Sequence, residues 1–298
     1  MQQTLQHKTE TEKMNRQVKR KKRLVSLIKY LILIAGALIM LYPILWLFGA
    51  SFKTNSEIFQ SIWFMPKTFD FTPYIEGWQT SSQYTFATYF LNSFLIVIPK
   101  VLLTLISCTL AAYGFARFDF PFKKILFPIM IATLFLPGIV TRIPMYIFWR
   151  NVNLLDTYLP LITNSAFACD TFFVYMLVQF FRTVPKELDE AATIDGCNSF
   201  TILTRILVPI LKPSLITAAL FQFIWTFTDF QGPLIYISSV EKYPVSIALR
   251  MAMDTTSADF SWNRTIAMSI IGLIPSLVVY FSAQKHFIGG STAGGVKG

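Results

Sequence analysis

The sequence predicts an all-α membrane protein with six transmembrane helices and both termini on the cytoplasmic side. Three observations lead there. Hydrophobic residues fill 54% of the 298 positions and charged residues only 14%, against about 25% charged in an average soluble domain. Apolar runs recur at lengths near or above the roughly 20 residues that cross a bilayer as a helix. The basic residues are also unevenly shared between the two sides. Of the 26 Lys and Arg, 18 fall on the side of the N-terminus, seven fall on the other, and Lys100 lies within a span. Cytoplasmic segments are the ones enriched in Lys and Arg, so the N-terminus is expected inside.

Residues 1–23 read as a polar, basic segment without fixed structure, ending in Lys19-Arg20-Lys21-Lys22-Arg23 directly before an apolar run. Such a juxtamembrane cluster suits anionic lipid at the cytoplasmic surface better than nucleic acid. The first span is expected over 24–50. The run is longer than the apolar region of a signal peptide and no small-residue cleavage site follows, so a cleaved leader is not expected. Residues 51–85, with Pro66 and Pro73, read as an external loop. Further spans are expected near 86–116, 125–140, 159–181, 213–237 and 265–285, with a second polar loop over 238–263. The chain thus divides into a basic segment (1–23), a first span with its loop (24–85), a core membrane region (86–285) and a small-residue tail (286–298).

Between the fourth and fifth spans lies a polar island, Pro185-Lys186-Glu187-Leu188-Asp189-Glu190-Ala191-Ala192-Thr193-Ile194-Asp195-Gly196-Cys197-Asn198. Pro185 suits the first turn of a helix, where its missing N–H is not needed. Glu187, Asp189 and Glu190 set negative charge at the positive end of that helix. Leu188, Ala191 and Ala192 fall at i, i+3 and i+4, the spacing of one small apolar face. Gly196 suits the left-handed residue that closes a helix, and Asn198 or Ser199 suits the cap of the next. Pro209 and Pro213 then redirect the chain. The expectation is a short helix, a glycine bend and a second short helix.

Glu190-Ala191-Ala192, Asp195-Gly196, Ile206, Pro209 and Pro213 together resemble the EAA loop of ABC-importer permeases over about twenty-five positions (the bland alternative being an ordinary helix–turn–helix in a cytoplasmic loop). The resemblance implies the type I ABC-importer permease fold in the plasma membrane. It makes the loop, within 183–213, a cytoplasmic coupling helix seated on an ATPase subunit, with Glu187, Glu190, Ala191, Ala192, Asp195 and Gly196 as the coupling positions. The tail from Phe287 to Gly298 is similar to the C-terminus of sugar-importer permeases of the smaller maltose type, which implies carbohydrate uptake, with a di- or oligosaccharide as solute. The same resemblance implies a second homologous permease, two ABC ATPases and an extracellular solute-binding protein as partners. ATP and Mg would then reside on the ATPases. The tail is not itself a phosphate-binding loop, because Val296 precedes Lys297 where that motif needs Gly-Lys-Ser/Thr opening a helix.

Polar side chains inside spans are costly and mark candidate functional positions. Gln222, Trp225 and Asp229 fall at i, i+3 and i+7. They would give one helical face an amide, an indole and a carboxylate, the mixture that grips sugar hydroxyls and C–H faces. That face either lines the translocation pathway or forms a seam between subunits. Asn92 and Asp170 are further pathway candidates, although for Asn92 an interhelical hydrogen bond is the commoner role. Lys100 either snorkels or meets water in the pore. Cys108, Cys169 and Cys197 show no paired spacing, and His7 and His286 are isolated, so no metal or catalytic site is expected on this chain. A permease for peptides or phosphate esters, and a stand-alone secondary transporter, are the rival readings. The latter is disfavoured by the lack of repeated halves.

Overall fold

The structure, a computed structural model, describes residues 2–79, 84–253 and 260–293, with side chains from 21 to 285 in those stretches. In chain order the helices are α1 (Gln2–Ala50), α2 (Asn55–Gln60), α3 (Thr72–Trp78), α4 (Phe86–Arg117) and α5 (Lys123–Ala132). Next come α6 (Gly138–Asn151), α7 (Leu159–Ile162), α8 (Thr171–Thr183), α9 (Glu187–Ile194) and α10 (Ser199–Thr201). The chain ends with α11 (Val208–Ile210), α12 (Lys212–Phe227), α13 (Gln231–Tyr236), α14 (Val245–Ala252) and α15 (Trp262–Ala293). No strand occurs among the described residues. Four helical stretches are long and apolar enough to cross a membrane: 21–50, 86–117, 159–183 and 262–285. Two further pairs, bent by 98° and 79°, bring the count to six if each is one span.

Several elements differ from expectation. The backbone is helical from Gln2 rather than irregular up to residue 23. That segment is rich in Gln, Glu, Lys and Arg, all good helix formers, so it can propagate from the apolar helix that follows. The third span does not end at residue 140. It breaks at Leu136 and resumes as α6, at 98° to the first half. Leu136 precedes Pro137, whose ring disfavours the helical region for the residue before it, and Leu136 is extended with ψ 124°. The fourth span is interrupted by a 3-10 turn at Thr163–Phe167 and by Ala168 at φ 54°. The fifth stops at Phe227 and restarts at Gln231. At the chain end, α15 carries its helical backbone to Ala293, and 294–298 of the expected tail lie outside the described residues.

The chain falls into two compact units. In the first (1–73 with 261–267) α1 ends in a close approach: a Cβ on Gly49 would stand 1.7 Å from the Phe64 carbonyl oxygen, so glycine is required there. Lys53 is fully buried, and its ammonium donates to the carbonyls of Ser61 and Trp63. The second unit (74–260 with 268–298) is built on α4, which packs against α8 and α12. Its core joins Cys108, Ala112 and Ala116 of α4 to Phe173, Leu177, Val178 and Phe181 of α8, and to Leu203 and Leu207. Small residues on α4 opposite large ones on α8 let the two helices approach closely, which is how helices associate where water supplies no hydrophobic drive.

Candidate functional site: a coupling knob and a membrane cavity

The polar island folds as α9, a turn and a continuous bent helix. Gly196 sits at φ 84°, where L side chains are strained, and the Gly196 N–H donates to the Thr193 carbonyl at 3.0 Å. The Asn198 side chain accepts from the Thr201 N–H at 2.8 Å, so Asn198, not Ser199, caps the second helix. Ile202–Leu207 is π-helical, and the chain turns by 79° at Leu211, ahead of Pro213.

The helix does not present the single apolar face expected of Leu188, Ala191 and Ala192. Ala192 alone is buried, packed in the core below. Leu188 and Ala191 are exposed, as are Glu187, Glu190, Thr193 and Asp195. Ile194 and Phe200 stand 87% and 69% exposed, on either side of the Gly196 turn and outside the four long apolar spans. The inward side of α9 is held by charge. Arg117, at the end of α4, places its Nε 2.6 Å from Asp189 Oδ2, with the two side chains only 6% and 18% exposed. The contact is one of charges rather than an aligned hydrogen bond; the well-directed bond of Arg117 goes to the Val184 carbonyl at 2.9 Å. Tyr113, one helical turn earlier, donates to the Ser199 carbonyl at 3.2 Å. Sequence reasoning passed over Arg117 and Asp189 as a pair. The only signal was a basic residue closing a span and a carboxylate on the inward side of the island.

The candidate pathway residues separate into two places. Asp170, Gln222 and Trp225 line one cavity of about 450 Å³, together with Thr133, Thr141 and Thr171. Gln222 is only 3% exposed, and its amide has no hydrogen-bond partner among the described residues. Trp225 packs at tilted angles against Phe172, Phe173 and Phe221, with ring centres 5.1, 5.3 and 5.8 Å away. Asp170 Oδ2 accepts from Thr104 at 2.9 Å and from Ser165 at 2.6 Å. Across the cavity the hydroxyls of Thr133 and Thr171 share a 3.1 Å hydrogen bond. The breaks in the third and fourth spans, at Leu136 and at Cys169–Asp170, both open onto this space. Irregular backbone at membrane depth is tolerated where it lines a cavity, and here the two breaks and the polar side chains coincide.

Asp229 lies elsewhere. Helix α12 ends two residues before it, at Phe227, with Thr228 as its C-cap. Asp229 Oδ1 accepts from the Gly232 N–H at 3.1 Å, opening α13, and Asp229 borders a separate space of about 10 Å³ shared with Lys100. That is room for about one water. Asn92 is 7% exposed, and its amide donates to the Glu241 and Tyr243 carbonyls at 2.7 and 3.0 Å. It tethers the loop before α14 to α4 and does not reach the cavity. The i+7 spacing of Asp229 failed because the helix that would have carried it is too short.

Outside the spans, Asp156 clasps two loops together. It accepts from the Ser238 and Ser239 N–H groups at 3.0 and 2.9 Å, from the Ser239 hydroxyl at 2.6 Å, and from Lys242 at 2.8 Å. Desolvation pushes its carboxyl upward, but the Lys242 ammonium and the serine donors outweigh that and hold it well below the usual carboxylate range.

A helical membrane unit with broken spans around a polar cavity and an exposed coupling-type knob defines a membrane transport subunit. Residues 104–288 match the family of binding-protein-dependent transport system inner membrane components, and the chain belongs to that family. It is a multi-pass permease subunit of an ABC transporter, a transport component rather than an enzyme, and it works with other components of such a transporter. It is 28% identical to the diacetylchitobiose uptake system permease protein NgcG of Streptomyces coelicolor, over 90% of this chain and 87% of that protein. It is 29% identical to the arabinooligosaccharides transport system permease protein AraQ of Halalkalibacterium halodurans, over 88% of this chain and 93% of that one. Its fold matches a chain in the crystal structure of a bacterial ABC transporter that imports the acidic polysaccharide alginate, with TM-score 0.76, 24% identity, and 90% and 98% of the two chains covered.

Proposed function

We propose that this chain is the permease of a carbohydrate importer for di- or oligosaccharides, with its termini and knob in the cytoplasm. Glu187, Glu190, Ala191, Asp195 and Gly196 are the exposed positions that meet an ABC ATPase, whereas Ala192, expected among them, is buried in this chain's own core and seats the helix instead. The observation that carries this reading is that Leu188 and Ile194 of α9, with Phe200 of α10, are exposed while the inward side of α9 is locked to α4 by Arg117. An apolar outward face on a rigidly mounted helix suits a seat in a partner's cleft, and the mounting lets a movement of the partner reach α4 and α8 as a rigid-body displacement. ATP and Mg belong to two such ATPases, and a second homologous permease completes the pathway. An extracellular solute-binding protein delivers the sugar. The cavity around Gln222, Trp225 and Asp170 supports the solute class. An indole offers a flat apolar surface to sugar C–H groups, and the unpartnered amide and the carboxylate take hydroxyls. The sugar names of the relatives NgcG and AraQ agree with it.

The test is co-purification of the tagged chain from detergent-solubilised membranes, read by mass spectrometry. The expected companions are an ABC ATPase and a second permease. Gly196→Val, which puts a β-branched residue at φ 84°, should lose the ATPase at unchanged membrane levels, and so should Glu190→Lys. A chain that purifies alone and still drives sugar uptake after reconstitution would overturn the reading.

A further inference from the structure

Beside the knob, a groove of about 890 Å³ is lined by Phe120, Phe122, Lys124, Ile125, Phe127 and Arg182. Its charge is unbalanced. Asp119 is taken up by Lys123 at 3.2 Å, which leaves Lys124 and Arg182 without a carboxylate among the described residues. Arg182 lays its guanidinium over the Phe127 ring, 5.1 Å from the ring centre, so its face is stacked while its N–H edge stays free to donate. The turn that forms the groove's rim holds Phe122 at φ 63°, an uncommon conformation for a bulky residue, with its carbonyl accepting from Ile125 and Leu126 at 2.8 Å each. Above the rim, Ile125 and Ile129 of α5 are each 56% exposed, an apolar track leading away along the span.

Two free cations above apolar walls describe an amphiphile, not a small anion. A soluble phosphate would satisfy Lys124 and Arg182 but leave Phe120, Phe122, Ile125 and Phe127 wet. A phosphodiester with acyl chains satisfies both, the phosphate oxygens accepting from the guanidinium and ammonium while the chains follow Ile125 and Ile129. We infer that this groove is a binding site for one anionic phospholipid, such as phosphatidylglycerol, its phosphate held by Arg182 and Lys124. The cytoplasmic leaflet assigned to it rests on the orientation given under Proposed function; the lipid class rests on the groove alone.

The test is native mass spectrometry of the full chain, with whatever subunits accompany it, reconstituted in phosphatidylcholine with or without phosphatidylglycerol. Wild type should retain one phosphatidylglycerol in preference to phosphatidylcholine. Lys124→Ala, at an exposed position that the fold does not need, should weaken retention about fivefold, and Lys124→Ala with Arg182→Leu should abolish it. Lys212→Ala, an exposed lysine outside the groove, should retain the lipid as wild type does. Equal retention by wild type and the double variant, or equal retention of both lipids by wild type, would overturn the inference. Displacement by millimolar inorganic phosphate would mark a free-phosphate site and overturn it as well. Gly196→Val should keep the lipid while losing the ATPase, so a failure of the coupling reading is seen separately.

Discussion

The knob and the cavity belong to one compact unit and are built on opposite principles. The knob turns its polar contact inward and its apolar side chains outward: Arg117 and Asp189 meet where both are largely buried, while Ile194 and Phe200 face out. The cavity does the reverse, with aromatic rings packed behind Trp225 and the Gln222 amide left without a partner toward an open space. A surface meant for another protein can leave its apolar groups exposed until the partner covers them. A surface meant for a hydrated solute must leave polar groups unfilled until the solute arrives. The first is fixed by a strong internal contact, the second by vacant hydrogen-bonding capacity. The two should therefore respond to substitution in different observables.

The largest effect should come from the knob's anchor. Arg117→Leu leaves Asp189 partly buried without its counter-charge, a loss of about 3–5 kcal/mol for a buried pair broken on one side. Thermal unfolding in detergent should fall accordingly, and Arg117→Leu with Asp189→Leu should recover part of it. If Arg117→Leu unfolds like wild type, the charge contact is not what mounts the knob. The cavity should answer more gently and in transport rather than stability. Gln222→Met, similar in length and apolar, should leave unfolding unchanged but raise the KM for sugar uptake about three- to tenfold, the equivalent of one hydrogen bond. A lowered melting temperature with unchanged KM would instead make Gln222 a packing residue. The smallest effect belongs to neither region and serves as their reference. The Asp156 carboxyl is held below its unfolded value, so its contribution to stability is fully present above about pH 4 and is lost only as pH falls through the depressed folded value. Asp156→Asn should therefore flatten the acid side of the melting-temperature profile and leave the profile near neutral pH with its shape unchanged. An unaltered acid limb would show that the clasp does not govern it.

How much of this the sequence showed depends on how far apart the contributing residues lie. The knob runs from Pro185 to Asn198 without interruption, so its carboxylates, its glycine and its cap could be read from spacing alone. What could not be read is which way α9 faces. Leu188, Ala191 and Ala192 share a spacing, yet only Ala192 points inward, because the partner that turns the helix is Arg117, seventy residues earlier. The cavity draws on the third, fourth and fifth spans. Gln222 and Trp225 were legible because helical periodicity holds within α12, and Asp229 was misplaced because periodicity was carried past the helix end at Phe227. Asn92 was legible as a polar residue in a span but not as a tether, since its acceptors are backbone carbonyls that no side-chain pattern reports. The six apolar runs were plain; the breaks at Leu136 and Ala168 were not, although Pro137 gave a hint of the first.

The π-helical stretch at Ile202–Leu207 has a consequence of timing rather than of binding. A π turn holds roughly one residue more than an α turn, and each residue advances a helix by about 100°. The stretch thus works as a phase shifter between the knob and the helix that continues into the fifth span. It sets the phase with which the helix after Asn198 arrives at the 79° bend at Leu211, in the way a single tooth sets two meshed gears. A family of such subunits could re-clock its pathway against its motor by gaining or losing one position there, with no change to either end.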